Sequence, residues 1–267
     1  MALTAEPEIR RCTLTSSLLQ LRCLDQDLEE VAFMDRPDQE SIASALKTLF
    51  LLGALDNTKT LTPLGRKMAA FPLEPPLARA LLAGAEHGCT AELLTILSVL
   101  SASSPLFVDA PDARDAAADA RLKFRHRTGD HLTVLGAVRA YEDVSRSESR
   151  GGVREWCRRM FLNERCLAEA ARIRAQLCDV CARVGVDAGV GAGDEDGAAE
   201  GVRRALVCGL VQNTAFLQPD GTYKQVMGPS VRRPLSARVR RWGREEVAHG
   251  GCMHADGEDP PQLYTGR

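Results

Sequence analysis

The chain has 267 residues, 45% hydrophobic and 26% charged, a globular balance that excludes wholesale disorder. Its formal net charge of −2 excludes a global basic field that would draw the whole chain onto nucleic acid, so any anion binding rests on a local patch. Aromatics are only 4%, which argues against a β-sandwich or barrel built on Trp and Tyr, and the excess of Arg over Lys is first a matter of composition.

Residues 1–8 form an N-terminal extension, and MALTAEPEIRRC lacks the apolar stretch of a secretory signal. Nine cysteines, several of them in apolar helical patterns, fit reduced core thiols of a soluble intracellular protein. The least charged stretch, 93–108, holds four serines and a proline and is too short and polar to cross a membrane.

Residues 9–65 open with a helical pattern in Leu14, Leu18, Leu19, Leu21 and Leu24, then a polar link from Asp25 to Asp38. A strong helix follows from Ser41 to Leu52, with Ile42, Leu46, Leu49, Phe50 and Leu51 at 3- and 4-residue spacings, and Gly53 stops it. Ala54-Leu55 and Thr60-Leu61 flank a short hairpin turn at 56–59. Helix, helix, small hairpin is the outline of a winged helix.

Residues 66–186 read as a mainly α helical bundle. Its first helix starts at Thr62-Pro63, an N-cap with Pro at the first helical position. Further helices are expected at Leu77–His87, Thr90–Leu100 and Asp112–Phe124. A fifth is expected at His131–Tyr141 with Asp130 as its cap, and Ser145–Gly152 reads as a polar loop. One short and one long helix then fill Arg154–Val184. Residues 187–201, with five glycines and five acids, read as a linker or surface loop. Residues 202–226 show a short helix and two strands around Pro219-Asp220-Gly221. Residues 227–267, rich in Gly, Pro and Arg, are expected to be disordered.

Four basic residues, Arg121, Lys123, Arg125 and Arg127, fall within seven positions without an acid. Arg121 and Arg125 would share one helical face. The run is either a phosphate-binding strip or a solvated face paired with Asp115 and Asp119. His131 has no nucleophile at a fixed spacing, so the adjacent Gly129-Asp130-His131 reads as a helix start, and no residue stands out as catalytic. Cys178-x-x-Cys181 lies on the apolar stripe of Ile173 and Leu177 and reads as core. A zinc site would also need His249, Cys252 or His254 from the tail. Trp156, beside Cys157 and Phe161, reads as core as well. The tail arginines Arg232, Arg233, Arg238, Arg240 and Arg241 could touch RNA non-specifically, but disordered sequence is the simpler reading.

The stretch LLGALDNTKTLTPLGRKMAAFPLEPPLARALL at 51–82 resembles the helicase-associated region of DEAH-box RNA helicases. So do AELLTI at 91–96, GDHLT at 129–133, the run from Trp156 to Asn163, Ala205 to Gly209, and LQPDGTY at 217–223. The resemblance spans residues 9–226. It implies a winged helix (9–65), a helical ratchet domain (66–186) and the start of an oligonucleotide-binding fold (202–226). It also implies RNA contacts for Arg121, Lys123, Arg125, Arg127, Gly129, Asp130 and His131. At the domain junction it implies structural roles for Thr62, Pro63, Gly65 and Arg66.

In that family these domains follow two RecA-like motor domains, which would be partners of this chain along with RNA and protein activators. A nuclear, nucleolar and cytoplasmic location follows from the same resemblance. The chain has neither a G-x-x-x-x-G-K-[ST] loop nor a DEAH box, since Asp194-Glu195-Asp196 is not one. ATP and magnesium would therefore belong to the motor domains, with no cofactor or metal expected in this chain. The tail departs from the family and reads as a truncation, alternative exon or shifted reading frame. A protein-interaction module, exposing Leu46, Phe50 and Leu51, is the alternative function.

Overall fold

The computed structural model describes residues 7–27, 31–192, 195–218, 222–226, 232–234 and 264–265. Chain contacts divide it into two compact units, Met1–Gly209 and Leu210–Arg267.

The first unit is helical. After α1 (Glu8–Arg11), α2 (Thr15–Cys23) and α3 (Gln39–Leu51) pack through Leu18, Leu19, Ile42, Ala45 and Leu49, which are nearly fully buried. Asp38 starts α3, its carboxylate accepting from Ser41 N at 2.9 Å. Gly53 ends this segment with φ +73°, a left-handed conformation that glycine adopts without strain. A single antiparallel bridge, Leu55 to Leu61, closes the expected hairpin. Its turn is built on Asp56, whose Oδ1 accepts from Thr58 N, Thr58 Oγ1 and Thr60 N at 2.6–2.8 Å. Then comes α4 (Pro63–Ala69).

Next follow α5 (Pro75–Glu86), α6 (Thr90–Leu100), α7 (Arg114–Leu122), α8 (Asp130–Ser147), α9 (Arg150–Arg159), α10 (Glu164–Val184) and α11 (Glu195–Gly209). Nine of the eleven residues of α6 are buried, so it has no solvent stripe and is the bundle's centre, packed by α5, α8 and α10. A second cluster fills the space among α8, α9 and α10 with Val138, Val153, Cys157, Leu162, Cys166 and Leu167, and partly buried Trp156 packs against it. Cys181 is likewise fully buried and Cys178 half-buried, in keeping with a core stripe.

Four sequence expectations are corrected. The helix expected over Asp112–Phe124 is a 3-10 turn, Pro111–Ala113, followed by α7, which ends at Leu122. Asp130 is not the cap of α8 but its first residue. The N-cap position is Gly129, at φ +135°, and no side-chain bond caps it. The loop expected at 145–152 shrinks to Glu148-Ser149 because α8 runs to Ser147 and the Ser149 hydroxyl caps α9 through Gly152 N. The linker expected at 187–201 is helix from Glu195 onward. Ala198, Ala199, Val202, Ala205 and Leu206 form a buried stripe against α5, and Gly201 and Gly209 lie against backbone atoms of residues 87 and 76. Small residues thus let α5 and α11 approach closely, and α11 joins the bundle rather than the following unit.

The second unit has a 3-10 turn, Val211–Asn213, and an antiparallel sheet whose strands, from edge to edge, are Arg232–Pro234, Thr222–Gln225, Thr214–Leu217 and Tyr264–Thr265. The expected pair is present, with β1 (Thr214–Leu217) and β2 (Thr222–Gln225) in register Ala215 to Gln225 and Phe216 to Lys224. Residues 232–234 and 264–265, expected to be disordered, are short strands β3 (Arg232–Pro234) and β4 (Tyr264–Thr265). The turn 219–221, the zinc candidates His249, Cys252 and His254, and the tail arginines 238, 240 and 241 lie outside the described residues.

Candidate functional site

The basic run falls on the connection from α7 to α8. Because α7 stops at Leu122, Arg121 and Arg125 do not share a helical face; Arg125 and Arg127 sit in the turn beyond it. Arg121 is half-buried, its guanidinium 4.6 Å from the centre of the Phe107 ring, a cation–π contact. Its Nε is buried, with no hydrogen-bond acceptor among the described residues. Nearby in the chain, Phe124 meets Trp156 edge-on at 6.1 Å between ring centres. Phe107 itself is held by a bridge to Leu162. Arg121 therefore rests on the Phe107 ring, and Phe107, Phe124 and Trp156 each pack against the same core cluster.

Lys123 and Arg127 are exposed. Arg127 reaches the start of α11, where its Nη2 lies 2.7 Å from Asp196 Oδ1. The turn between them is fixed by two residues that the charge pattern did not single out. His126 Nδ1 accepts from Thr128 N at 3.2 Å and lies 2.8 Å from Thr128 Oγ1. Buried Thr133 accepts from His126 N at 3.0 Å and donates to Gly129 O at 3.1 Å. The Thr133 contact, seven residues from His126, is legible only in the fold.

Gly129 takes a φ that side-chain-bearing residues rarely adopt, and nothing lies within 4 Å of a Cβ placed there. Its role is conformational, turning the chain into α8. The amino end of α8 carries Asp130 in its first turn, where a carboxylate complements the helix dipole. Burial pulls the His131 imidazole below its ordinary pKa, and the neighbouring Asp130 carboxylate only partly offsets this. The cationic form of His131 is thereby disfavoured. The positive charge of this corner comes from Lys123 and the three arginines. Across residues 66–186 there are 18 basic against 15 acidic residues, so the corner belongs to the chain's basic section.

Thr62, Pro63, Gly65 and Arg66 form a separate constellation. Thr62 Oγ1 accepts from Gly65 N at 3.0 Å and donates toward Gly53 O, 2.7 Å away. Thr62 N bonds Ala54 O at 3.0 Å, so one residue ties the start of α4 to the segment before the turn. Pro63 occupies the first helical turn, where no backbone donor is needed. Gly65 is buried under the backbone, and a Cβ there would lie 2.3 Å from Ala54 O. Arg66 is exposed, and its charge acts on the Cys23 thiol.

Among the described residues, no group of three or more His, Cys, Asp or Glu is placed to hold a metal ion. None of their helices is long and apolar enough to cross a membrane.

Comparison with known proteins matches two consecutive domain families. Residues 45–73 match the winged-helix part of the helicase associated domain, and residues 74–134 match its ratchet-like part. The first contains the Thr62–Arg66 constellation and the second contains the whole basic turn. The chain is 41% identical over 221 residues, 81% of its length, to the ATP-dependent RNA helicase DHX33 of Homo sapiens, of which it covers 30%. Against the DHX33 of Drosophila melanogaster it is 35% identical over 225 residues, covering 84% of this chain and 31% of the relative. The chain thus spans under one third of the length of these relatives.

Proposed function

We propose that this chain, a helicase-associated region made of winged-helix and ratchet-like domains, serves as the C-terminal accessory part of an ATP-dependent DEAH-box RNA helicase. The observation that supports this most is the position of the basic turn. It lies wholly inside the ratchet-like match, it is rigidly built by His126 and Thr133, and it presents Lys123 and Arg127 to solvent.

In this reading the turn forms part of the wall of the RNA channel. Lys123, Arg125 and Arg127 contact the phosphate backbone, and Arg121 stiffens the wall from below through Phe107. Such contacts read charge and spacing rather than sequence. The wing and α4, locked together by Thr62, hold the ratchet domain against the motor and couple its movement to RNA translocation. The sequence holds no phosphate loop, which supports placing ATP and magnesium elsewhere. Both belong to the parent's motor domains, and the chain alone hydrolyses no ATP. The sheet of the second unit is the beginning of the oligonucleotide-binding fold, and the parent works in the nucleus, nucleolus and cytoplasm.

Cross-linking tests the RNA contact. A single-stranded RNA carrying 4-thiouridine, irradiated with the purified chain, should attach to peptides covering residues 121–131. Cross-links confined to other segments would refute the assignment. A phosphate-release assay with ATP and RNA should stay at the buffer blank; RNA-stimulated release would contradict the absence of a motor.

One observation favours a second reading. On α3, Phe50 is 51% exposed and stands beside half-buried Leu46 and Leu51. That face would then bind another protein, the chain acting as an interaction module or a dominant-negative fragment. A stable protein complex without salt-sensitive RNA binding would support it.

A further inference from the structure

Of the three acids in segment 187–200 whose side chains the structure describes, two are engaged locally. Asp187 accepts from Gly189 N at 2.8 Å, and Glu200 pairs with Arg203 and Arg204 on its own helix. Asp196 is different. It lies at the amino end of α11 and reaches across the bundle to Arg127, 69 positions away in the chain, at 2.7 Å. Both side chains are otherwise open to solvent, 77% and 73% exposed, and among the described residues neither makes another ion pair. The position of Asp196 is not accidental to the packing. Helix α11 is seated on α5 by Gly201, Ala205 and Gly209, and that seat fixes where its first turn emerges.

We infer that Asp196 is an internal competitor of RNA at the basic turn. Its carboxylate occupies the guanidinium that a phosphate oxygen would occupy, using the same charge-assisted bond. RNA must displace it before Arg127 joins the interface. The acidic segment thereby lowers the turn's affinity for weakly held RNA and leaves tightly engaged RNA, which out-competes one carboxylate, bound. Because an exposed ion pair is individually weak, the effect is a modulation and not a block, about 1.4- to 5-fold in affinity. The inference rests on the RNA-channel reading above.

The test is a double-mutant cycle on the full chain, read as fluorescence anisotropy of a labelled single-stranded RNA at low salt. Asp196→Asn should bind about 1.4- to 5-fold more tightly than the wild type. In an Arg127→Ala background the same change should have no effect. Glu200→Gln removes the same charge from the same helix without touching Arg127 and should leave affinity within experimental error of the wild type. Equal affinity of Asp196→Asn and a salt-sensitive wild type would overturn the competitor role while leaving the RNA reading intact. A gain that persists with Arg127→Ala, or is matched by Glu200→Gln, would also overturn it, showing general charge repulsion instead. Absence of RNA binding by both the wild type and Asp196→Asn would overturn the RNA reading and this inference together.

Discussion

Replacing Gly65 by alanine probes the joint between α4 and the segment before the wing's turn, both inside the winged-helix match. In an exposed helix, Gly→Ala is favourable by about 0.8–1 kcal/mol, because alanine loses less backbone entropy on folding. At Gly65 the new Cβ would stand 2.3 Å from Ala54 O and 2.8 Å from Leu61 Cδ1. The leucine can rotate away, but the carbonyl belongs to the segment that Thr62 N and Thr62 Oγ1 already bond. Relief therefore requires α4 to move off the wing. Overpacking of this kind costs about 1–3 kcal/mol even after relaxation. For a domain of this size that corresponds to a fall in Tm of roughly 2–12 °C by calorimetry or circular dichroism. Gly136→Ala in α8 is the control. Its Cβ would meet Phe124 O at 3.5 Å, an ordinary contact, so stability should be unchanged or rise by up to about 1 kcal/mol. If Gly65→Ala matched or exceeded the wild-type Tm, the close backbone approach that defines this joint would be refuted.

Thr62→Ala removes the α4 cap and the hydroxyl's bond to Gly53 O, and should cost about 1–2 kcal/mol in urea denaturation; an unchanged midpoint would exclude the cap's role. Burial, reinforced by Glu92, pushes the Cys89 thiol up to about 12, and burial likewise takes Cys157 and Cys181 up to about 11. Iodoacetamide at pH 8 should therefore label exposed Cys12 and spare these three in the native chain, with mass spectrometry locating the adducts. Three bonds from Thr58 and Thr60 hold the Asp56 carboxyl below its ordinary 3.8, so its contribution is complete above that pH and disappears as pH falls through the lower, native value. Asp56→Asn should accordingly lose less stability than the wild type on acidification below pH 3.8; equal acid sensitivity would argue against this contribution.

Much of the first unit is legible in the chain. The 3- and 4-residue spacing of leucines, Thr62-Pro63 and Gly53 each have a local cause, and the bounds expected for α6, Thr90–Leu100, are those observed. The misreadings share a different origin. Residues 195–201 look like a linker because they hold two glycines and three acids, yet small residues are what a close helix–helix seam requires, and only the facing α5 makes them helical. Ser145–Gly152 looks like a loop because serines and glycines weaken helices, yet one serine at position 149 suffices to restart one. At the candidate site the charges were visible and their arrangement was not. Arg121 resting on Phe107, Thr133 pinning His126, and Asp196 meeting Arg127 all join residues distant in sequence.

The central claim, that the turn between α7 and α8 is an RNA-backbone contact, is tested most directly by a salt titration. Single-stranded RNA binding would be followed for the wild type and for Lys123→Gln/Arg127→Gln, both positions being exposed and uninvolved in the core. Each phosphate contact steepens the fall of log affinity against log salt by about 0.7, so the double variant should bind more weakly at low salt and show a slope shallower by about 1.4. An affinity and slope identical to the wild type, with the variant's helix content intact, would contradict the account.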